Sequence, residues 1–371
     1  MECIVENDRP YYPKLRANAE SNDSIAMVAA TVSLGLTDET QIDAVASKLS
    51  VQKVTGGITN ALYCVSGFKD EPSKNKYFDS SCRNSALLRI FGAEGMINRD
   101  VETAYYAQLC DADIAHEFVG RFGNGRVEGW LDGYRPLMVD ELSQPDNSKQ
   151  IAQQLAKLHT QFHPSGSNKE AGMWDQLNSW MKQSLDNEKY PFKNGRKDEE
   201  RANALFDLKE LQKELNDCQT NGSIPLDAKV VFCHNDLLAA NIMINPQTRD
   251  IQLIDFEYGG YNFAAFDIAN HFNEWAGGTD NGKPIYSKFP TREQREFFLQ
   301  SYLGPGTSPN TLHALLAEVD AFVLVNHLYW GLWAVNQAKA EGCLGFDYLL
   351  YASNRIKRFY EHLWLTFRSW I

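Results

Sequence analysis

Strand-forming sequence in this chain is crowded into one window, and that asymmetry limits the folds open to it more than any other feature. From Val51 to Tyr134 the runs "VQKVTGGITNALYCVSG", "SALLRIFG" and "AHEFVGRFGNGRVEGWLDG" alternate β-prone residues with Gly-rich turns. The polar loop "FKDEPSKNKYFDSSCRNS" interrupts them. One helix falls among the strands at "DVETAYYAQLC", apolar at helical spacing and acidic at its start, as a helix N-terminus prefers. Beyond Tyr134 strand character nearly vanishes, and long helical runs such as "SKQIAQQLAKLHTQFH" and "LHALLAEVDAFVLVNHLYWGLWAVNQAKA" take over. The exception is one small hairpin around "FCHNDLLAANIMINPQTRDIQLID" and its sequel "FEYGG". The polar segment from about 183 to 224 reads as helices joined by loops. Residues 1 to about 45, with "SIAMVAATVSLGL", read as one or two helices packed outside the catalytic core. The expectation is an α+β chain of two lobes. Residues 1–130 form a small lobe with a five-stranded antiparallel sheet, and residues 131–371 a larger, mainly helical lobe.

At 371 residues the chain exceeds the size at which a single core keeps growing, which agrees with two lobes. Its formal charge of −12 argues against a general nucleic-acid binder and against a surface drawn to anionic lipid, while leaving room for a local basic pocket that holds phosphate. Seven scattered cysteines without a CxxC pair suggest reduced thiols rather than a zinc site or a disulfide framework. The acidic N-terminal "MECIVENDRPYYPK" does not resemble a signal peptide, and no uninterrupted apolar run reaches about 18 residues. The chain therefore reads as cytoplasmic, without membrane insertion and without a nucleic-acid partner; a homodimer is left open.

The chemistry is concentrated in Phe232–Asp255. Asp236 ends a loop and can accept the proton of an attacking hydroxyl, Asn241 offers an amide oxygen five residues later, and Asp255 ends the apolar strand "IQLI" with a hard anionic oxygen. Singly, each is an ordinary loop carboxylate or cap. In this order and spacing they are the parts of a metal–nucleotide site, because phosphoryl transfer needs charge neutralised and the acceptor held in line. His234 reads as a loop brace. Upstream, the turn "GGITN" offers Gly56, Gly57, Thr59 and Asn60 as nucleotide-contacting positions, although hairpin turns use glycines for conformational reasons as well. Arg89 is a stronger signal, since a cation within the apolar strand "ALLRIFG" is costly unless it meets an anion. Glu102 on the following helix is the candidate ion-pair partner that would aim it.

The spacing H-x-D-x4-N followed by [LI]-D-F resembles the catalytic loop and metal-binding triplet of protein kinases, with Asn235 in place of Arg and Glu257 in place of Gly. The lobe order matches the protein-kinase-like fold. Together "GGITNALY", "LLRIFG", "HNDLLAANIM", "IDFEYGGYNFAAFDIANHFNEW" and "LYWGLWAVNQAK" resemble the choline/ethanolamine kinase family over roughly Val51 to the C-terminus. The resemblance implies phosphorylation of an amino-alcohol hydroxyl by ATP and Mg²⁺, the first step toward phosphatidylethanolamine or phosphatidylcholine. It implies Asp236 as base, Asn241 and Asp255 as metal ligands, Arg89 as the phosphate-binding cation with Glu102 as its partner, and Asp267 and Asn270 as braces of the catalytic loop.

A cationic head group is best held by aromatic faces with a carboxylate nearby. Trp330 and Trp333 lie three apart on one helix, Tyr348 and Tyr351 three apart on the next segment, and Tyr258 follows the metal triplet. Such pairs are more often core. The resemblance moves them to the amine pocket, although the aromatic that choline kinases carry after Trp275 is missing from "AGGTDNGKPIY". "HNDLLAANIM" and "NHFNEWAG" lean toward ethanolamine and Tyr348 toward choline. The reading is ethanolamine, with choline or dual use as the runner-up. A catalytically inactive binding protein of the same fold is the distant alternative, and a kinase acting on protein lacks an evident activation segment.

Overall fold

Two strands that the sequence did not announce widen the N-terminal sheet from five to seven. The computed structural model describes residues 3–54, 60–92, 97–166, 169–220 and 228–368. The chain forms two compact units, Met1–Arg135 with Met243–Tyr258, and Pro136–Ile242 with Gly259–Ile371. Met243–Tyr258 thus groups with the N-terminal unit, whereas the sequence reading kept it in the second lobe; ion pairs from Asp255 and Glu257 into the sheet unit, described below, are the physical reason.

The elements of the first unit are β1 (Ile4–Glu6), β2 (Arg9–Tyr12), α1 (Asn22–Leu34), α2 (Glu39–Ala46), β3 (Ser50–Val54), β4 (Ala61–Ser66), β5 (Ser85–Ile90), α3 (Arg99–Asp111), β6 (Phe118–Phe122) and β7 (Gly125–Gly129). The sheet runs β1-β2-β6-β7-β5-β4-β3. Its pairs are antiparallel except β2 with β6, where Tyr11 lies opposite Arg121 in parallel register. Residues 3–46 are therefore built into the lobe, with β1 and β2 in its sheet, where the sequence reading had only helices packed outside the catalytic core. Helix α1, capped by Ser21 on the Ser24 N–H and ended by Gly35 at φ +67°, buries Ile25, Val28, Ala29 and Val32 in one core with Val65, Leu88, Val119 and Val127. Gly125 is required by close approach: a Cβ there would lie 2.1 Å from the Arg89 carbonyl oxygen.

The chain then passes through β8 (Arg135–Pro136), α4 (Pro145–Gln161), α5 (Met173–Leu185), α6 (Arg196–Leu205), α7 (Leu208–Thr220), β9 (Val230–Cys233), β10 (Ile242–Ile244), β11 (Ile251–Leu253), β12 (Gly260–Phe263), α8 (Ala264–Glu274), α9 (Arg292–Leu303), α10 (Pro309–Glu341) and α11 (Tyr348–Arg368). Strands β9 and β12 pair antiparallel, Cys233 opposite Gly260; a separate sheet runs β11-β10-β8. Helix α10 starts with Ser308 as cap and Pro309 in its first turn. It is long and apolar enough to cross a bilayer. Yet its buried stretch carries Asn326, His327, Asn336, Gln337 and Lys339 among the apolar residues, and it packs against α5, α8, α9 and α11. This is a core helix of the second unit. Gly331 lets α11 come close, since a Cβ there would meet Ile356 Cγ1 at 2.9 Å.

Candidate active site

In the first unit, the β5–β7 register sets Arg89 directly opposite Arg126, a repulsive pairing unless acids intervene. Glu128, two residues on from Arg126 and on the same face, takes Arg89 Nε at 2.8 Å and Arg126 Nε at 2.7 Å on one oxygen. Burial works against the Glu128 carboxylate, but Arg89 and Arg126 hold it down at about 2. Arg89 also donates through Nη1 to Asp255 at 3.0 Å, so the strand cation and the candidate metal ligand meet. Burial would lower the Arg89 pKa, yet Asp255 and Glu128 raise it well above its ordinary value. Glu102 is not the direct partner of Arg89: it accepts from Arg126, at the next position along the same network. Sequence reasoning missed Arg126 and Glu128, whose charges in "GRVEG" look solvent-facing until strand register places them.

Asp255 sits at φ +62°, a left-handed conformation that a non-glycine residue keeps only when its surroundings impose it. Two residues on, Glu257 accepts from Asn60 Nδ2 at 3.0 Å and from Arg99 Nη1 at 3.1 Å. Asn60 is thus engaged in a structural bond, whereas Gly56, Gly57 and Thr59 lie outside the described residues. Tyr258 closes this segment and is half-buried.

In the second unit, the loop after β9 is held from α8 at both ends. Asp267 accepts the backbone N–H of His234 at 2.6 Å and of Asn235 at 2.8 Å, and a third bond from His159 Nε2 at 3.0 Å. Burial alone would raise the Asp267 pKa; His159 and the His234 N–H bring it below the usual carboxylate value. One turn along α8, His271 Nδ1 donates to the Leu237 carbonyl at 3.1 Å, and burial pushes its pKa down to about 4, so the ring is neutral. Asn235 adopts φ +65°, with its side-chain oxygen held by Asn262 Nδ2 at 2.8 Å. Between these anchors stands Asp236. Asn241 donates its amide N–H bonds to the Asp236 carbonyl at 2.9 Å and carboxylate at 3.2 Å, which turns its amide oxygen elsewhere. That oxygen and the Asp255 carboxylate are hard donors of the kind Mg²⁺ takes. His159, Cys233 and Asp267 lie within 4.8 Å of one another. The Asp267 oxygens there are spent on the loop and on His159, so the cluster is a brace. Asn270 does not hold the loop; its oxygen accepts from Trp330 Nε1 at 2.6 Å and from Asn326 at 3.0 Å, tying α8 to α10.

The four aromatics on α10 and α11 come together. Trp330 and Trp333 rings are 5.3 Å apart at 75°, and Trp333 meets Tyr348 at 5.7 Å and Tyr351 at 6.4 Å. All four are buried, at 3–8% exposure. Burial pushes the Tyr329 and Tyr351 hydroxyls up, and the Asp236 charge adds to this in both, so the candidate base lies within electrostatic reach of the cluster. Behind Tyr351, Arg355 stacks at 5.6 Å and donates to Glu274 at 3.2 Å. Burial raises the Glu274 pKa while Arg355 pulls it back. Glu274 is thus a buried carboxylate beside the aromatics, held by Arg355, and the sequence reading did not name it.

An anchored Asp/Asn loop in the second unit and an Arg–Asp pair in the first are the parts of a phosphotransferase of protein-kinase-like fold. The choline/ethanolamine kinase family profile matches residues 51–360. The chain is 35% identical over 328 residues to a probable ethanolamine kinase of Arabidopsis thaliana, covering 86% of this chain and 81% of that protein. It is 32% identical over 333 residues to the same plant's probable choline kinase 2, covering 87% of each. An ethanolamine kinase structure from Plasmodium vivax superposes with a TM-score of 0.73 at 25% identity, covering 91% of this chain and 87% of that one. The chain belongs to the choline/ethanolamine kinase family.

Proposed function

We propose that this protein is an ethanolamine kinase, transferring the γ-phosphoryl group of ATP to the hydroxyl of ethanolamine. The observation that carries the reading is the loop itself: Asp236 is presented between two anchors on α8, within electrostatic reach of a buried aromatic cluster. In this reading Asp236 accepts the hydroxyl proton as the alcohol oxygen attacks the γ-phosphorus and the bond to ADP breaks. Arg89 neutralises phosphate charge. Asn241 and Asp255 would hold Mg²⁺, which would supply charge neutralisation on the transferring group. Trp330, Trp333, Tyr348, Tyr351 and Tyr258 surround the amine, and Glu274 is the acceptor that an ammonium with three N–H bonds needs. Asn60, at the end of the nucleotide-side turn, steadies Glu257, and Glu102 steadies Arg89 through Arg126.

Similarity to relatives named for each amine keeps choline, or use of both, as the second reading. Retention of Asp236, Asn241, Asp255 and Arg89 weighs against an inactive binding protein. The reaction is the entry step of phosphatidylethanolamine synthesis, and we place it in the cytoplasm. Incubation with ATP, Mg²⁺ and ethanolamine should yield phosphoethanolamine and ADP in equal amounts by ³¹P NMR. Release of ADP without a phosphoamine product would overturn the assignment.

A further inference from the structure

The first unit contains a chain of alternating charges whose two ends land on the same three residues. It runs Asp255, Arg89, Glu128, Arg126, Glu102, Arg99, Glu257, and closes through Phe256. Its contacts are 3.0 Å from Asp255 to Arg89, 2.8 Å on to Glu128, 2.7 Å to Arg126, a direct bond to Glu102, then 3.7 Å to Arg99 and 3.1 Å to Glu257. Asp255 is the most exposed of the four acid side chains, at 20% against 3–8% for the others. The segment bearing the candidate metal ligand is thus gripped from both sides.

Arg99 is the junction of this arrangement. Besides Glu257 it donates from Nη2 to Asn60 Oδ1 at 3.0 Å and to the Gly92 carbonyl at 2.8 Å, and its guanidinium lies 4.9 Å from the Phe91 ring. Asn60 completes the triangle by donating to the same Glu257 oxygen. One planar fork at the start of α3 therefore ties together the ends of β4 and β5 and the residue two after Asp255, a spread of acceptors that a lysine's compact ammonium matches less well. Where protein kinases carry a permissive glycine, this chain carries an anchored glutamate. A left-handed Asp255 needs such over-determination.

We infer that Arg99 is a positioning residue for the metal-binding segment, acting through Glu257 to keep Asp255 in its strained conformation with its carboxylate presented. The inference rests on the reading of Asp255 as a metal ligand. Arg99 itself was assigned no role from the sequence.

The test is calorimetric titration with MgADP and with ADP in EDTA, on the full chain and on Arg99→Gln, Arg99→Lys and Glu257→Gln, alongside the Mg²⁺ dependence of turnover. Wild type should bind MgADP more tightly than metal-free ADP. Arg99→Gln should lose about tenfold of that metal-dependent gain, with metal-free ADP binding and the KM for ethanolamine within twofold of wild type. Arg99→Lys should recover part of the loss. Glu257→Gln should reproduce it, and the double variant should add nothing further. A gain undiminished in Arg99→Gln, or lost in proportion to metal-free binding and thermal stability, overturns the inference. Should Arg99→Gln fail to fold, an Arg99→Lys variant with the full wild-type gain overturns it equally. Absence of any metal-dependent gain in wild type would sink the metal reading of Asp255 beneath it.

Discussion

Replacing Asp267 by asparagine removes one charge and one acceptor from a fully buried position that serves three donors. One Asp267 oxygen takes both His159 Nε2 and the His234 N–H, and the other takes the Asn235 N–H. The best asparagine orientation keeps its oxygen on the first pair and turns its NH₂ toward the Asn235 N–H, a donor against a donor. The lost charge-assisted bond is worth about 1.5–3 kcal/mol, and the stranded buried N–H costs about 1–3 kcal/mol more. A destabilisation of about 2.5–6 kcal/mol follows, which spans the cost of breaking a buried charge pair. The local consequence is sharper, because Asn235 holds its φ of +65° under that bond and Asp236 is the next residue. A displacement of roughly 1 Å at a catalytic group costs on the order of 10² in rate. Asp267→Asn should therefore unfold at lower urea and, while folded, show kcat reduced about 10²-fold with little change in the KM for MgATP. A folded variant with kcat within threefold of wild type would refute the claim that Asp267 positions the base.

Other expectations follow from the same geometry. Asp236→Asn should cut kcat by roughly 10²-fold or more with nucleotide affinity nearly intact, as binding and turnover measurements can separate. Because the folded pKa of Glu128, about 2, lies below its ordinary 4.5, its stabilisation is complete above about pH 4.5 and is lost as pH falls toward 2. That contribution is on the order of 3 kcal/mol, and Glu128→Gln should flatten the acid limb of a urea-midpoint profile; an unchanged limb would place the sensitivity elsewhere. Trp333→Leu should raise the KM for choline more than for ethanolamine, by about 0.5–2 kcal/mol if a desolvated cation–π contact is lost. Equal changes for both amines would mark Trp333 as packing alone.

What could be read from the sequence was whatever depends on local spacing. The helix at Arg99–Asp111, the strands on either side of it, and the order Asp236, Asn241, Asp255 are patterns within a few residues of one another. What could not be read depends on partners far along the chain. The parallel pairing of β2 with β6 joins residues more than a hundred positions apart, so a short polar N-terminal run gave no strand signal. Glu102, on the helix after Arg89, reads from the sequence and the family resemblance as its partner, whereas β5–β7 register puts Glu128 between the two arginines and leaves Glu102 to Arg126. Asn270 shares a helix with Asp267, but three residues turn it toward Trp330 instead of the loop. The spacing of Trp330, Trp333, Tyr348 and Tyr351 predicted two aromatic pairs, and only the packing of α10 on α11 makes them one cluster.

The central claim, phosphorylation of ethanolamine in preference to choline, is tested most directly by kcat/KM for the two amines at saturating MgATP. Ethanolamine offers three N–H donors to acceptors such as Glu274, while choline offers only methyl groups to aromatic faces that are already packed against one another. The account predicts a higher kcat/KM for ethanolamine, with choline turned over more slowly but measurably. A higher value for choline, or no turnover of either amine, would contradict it.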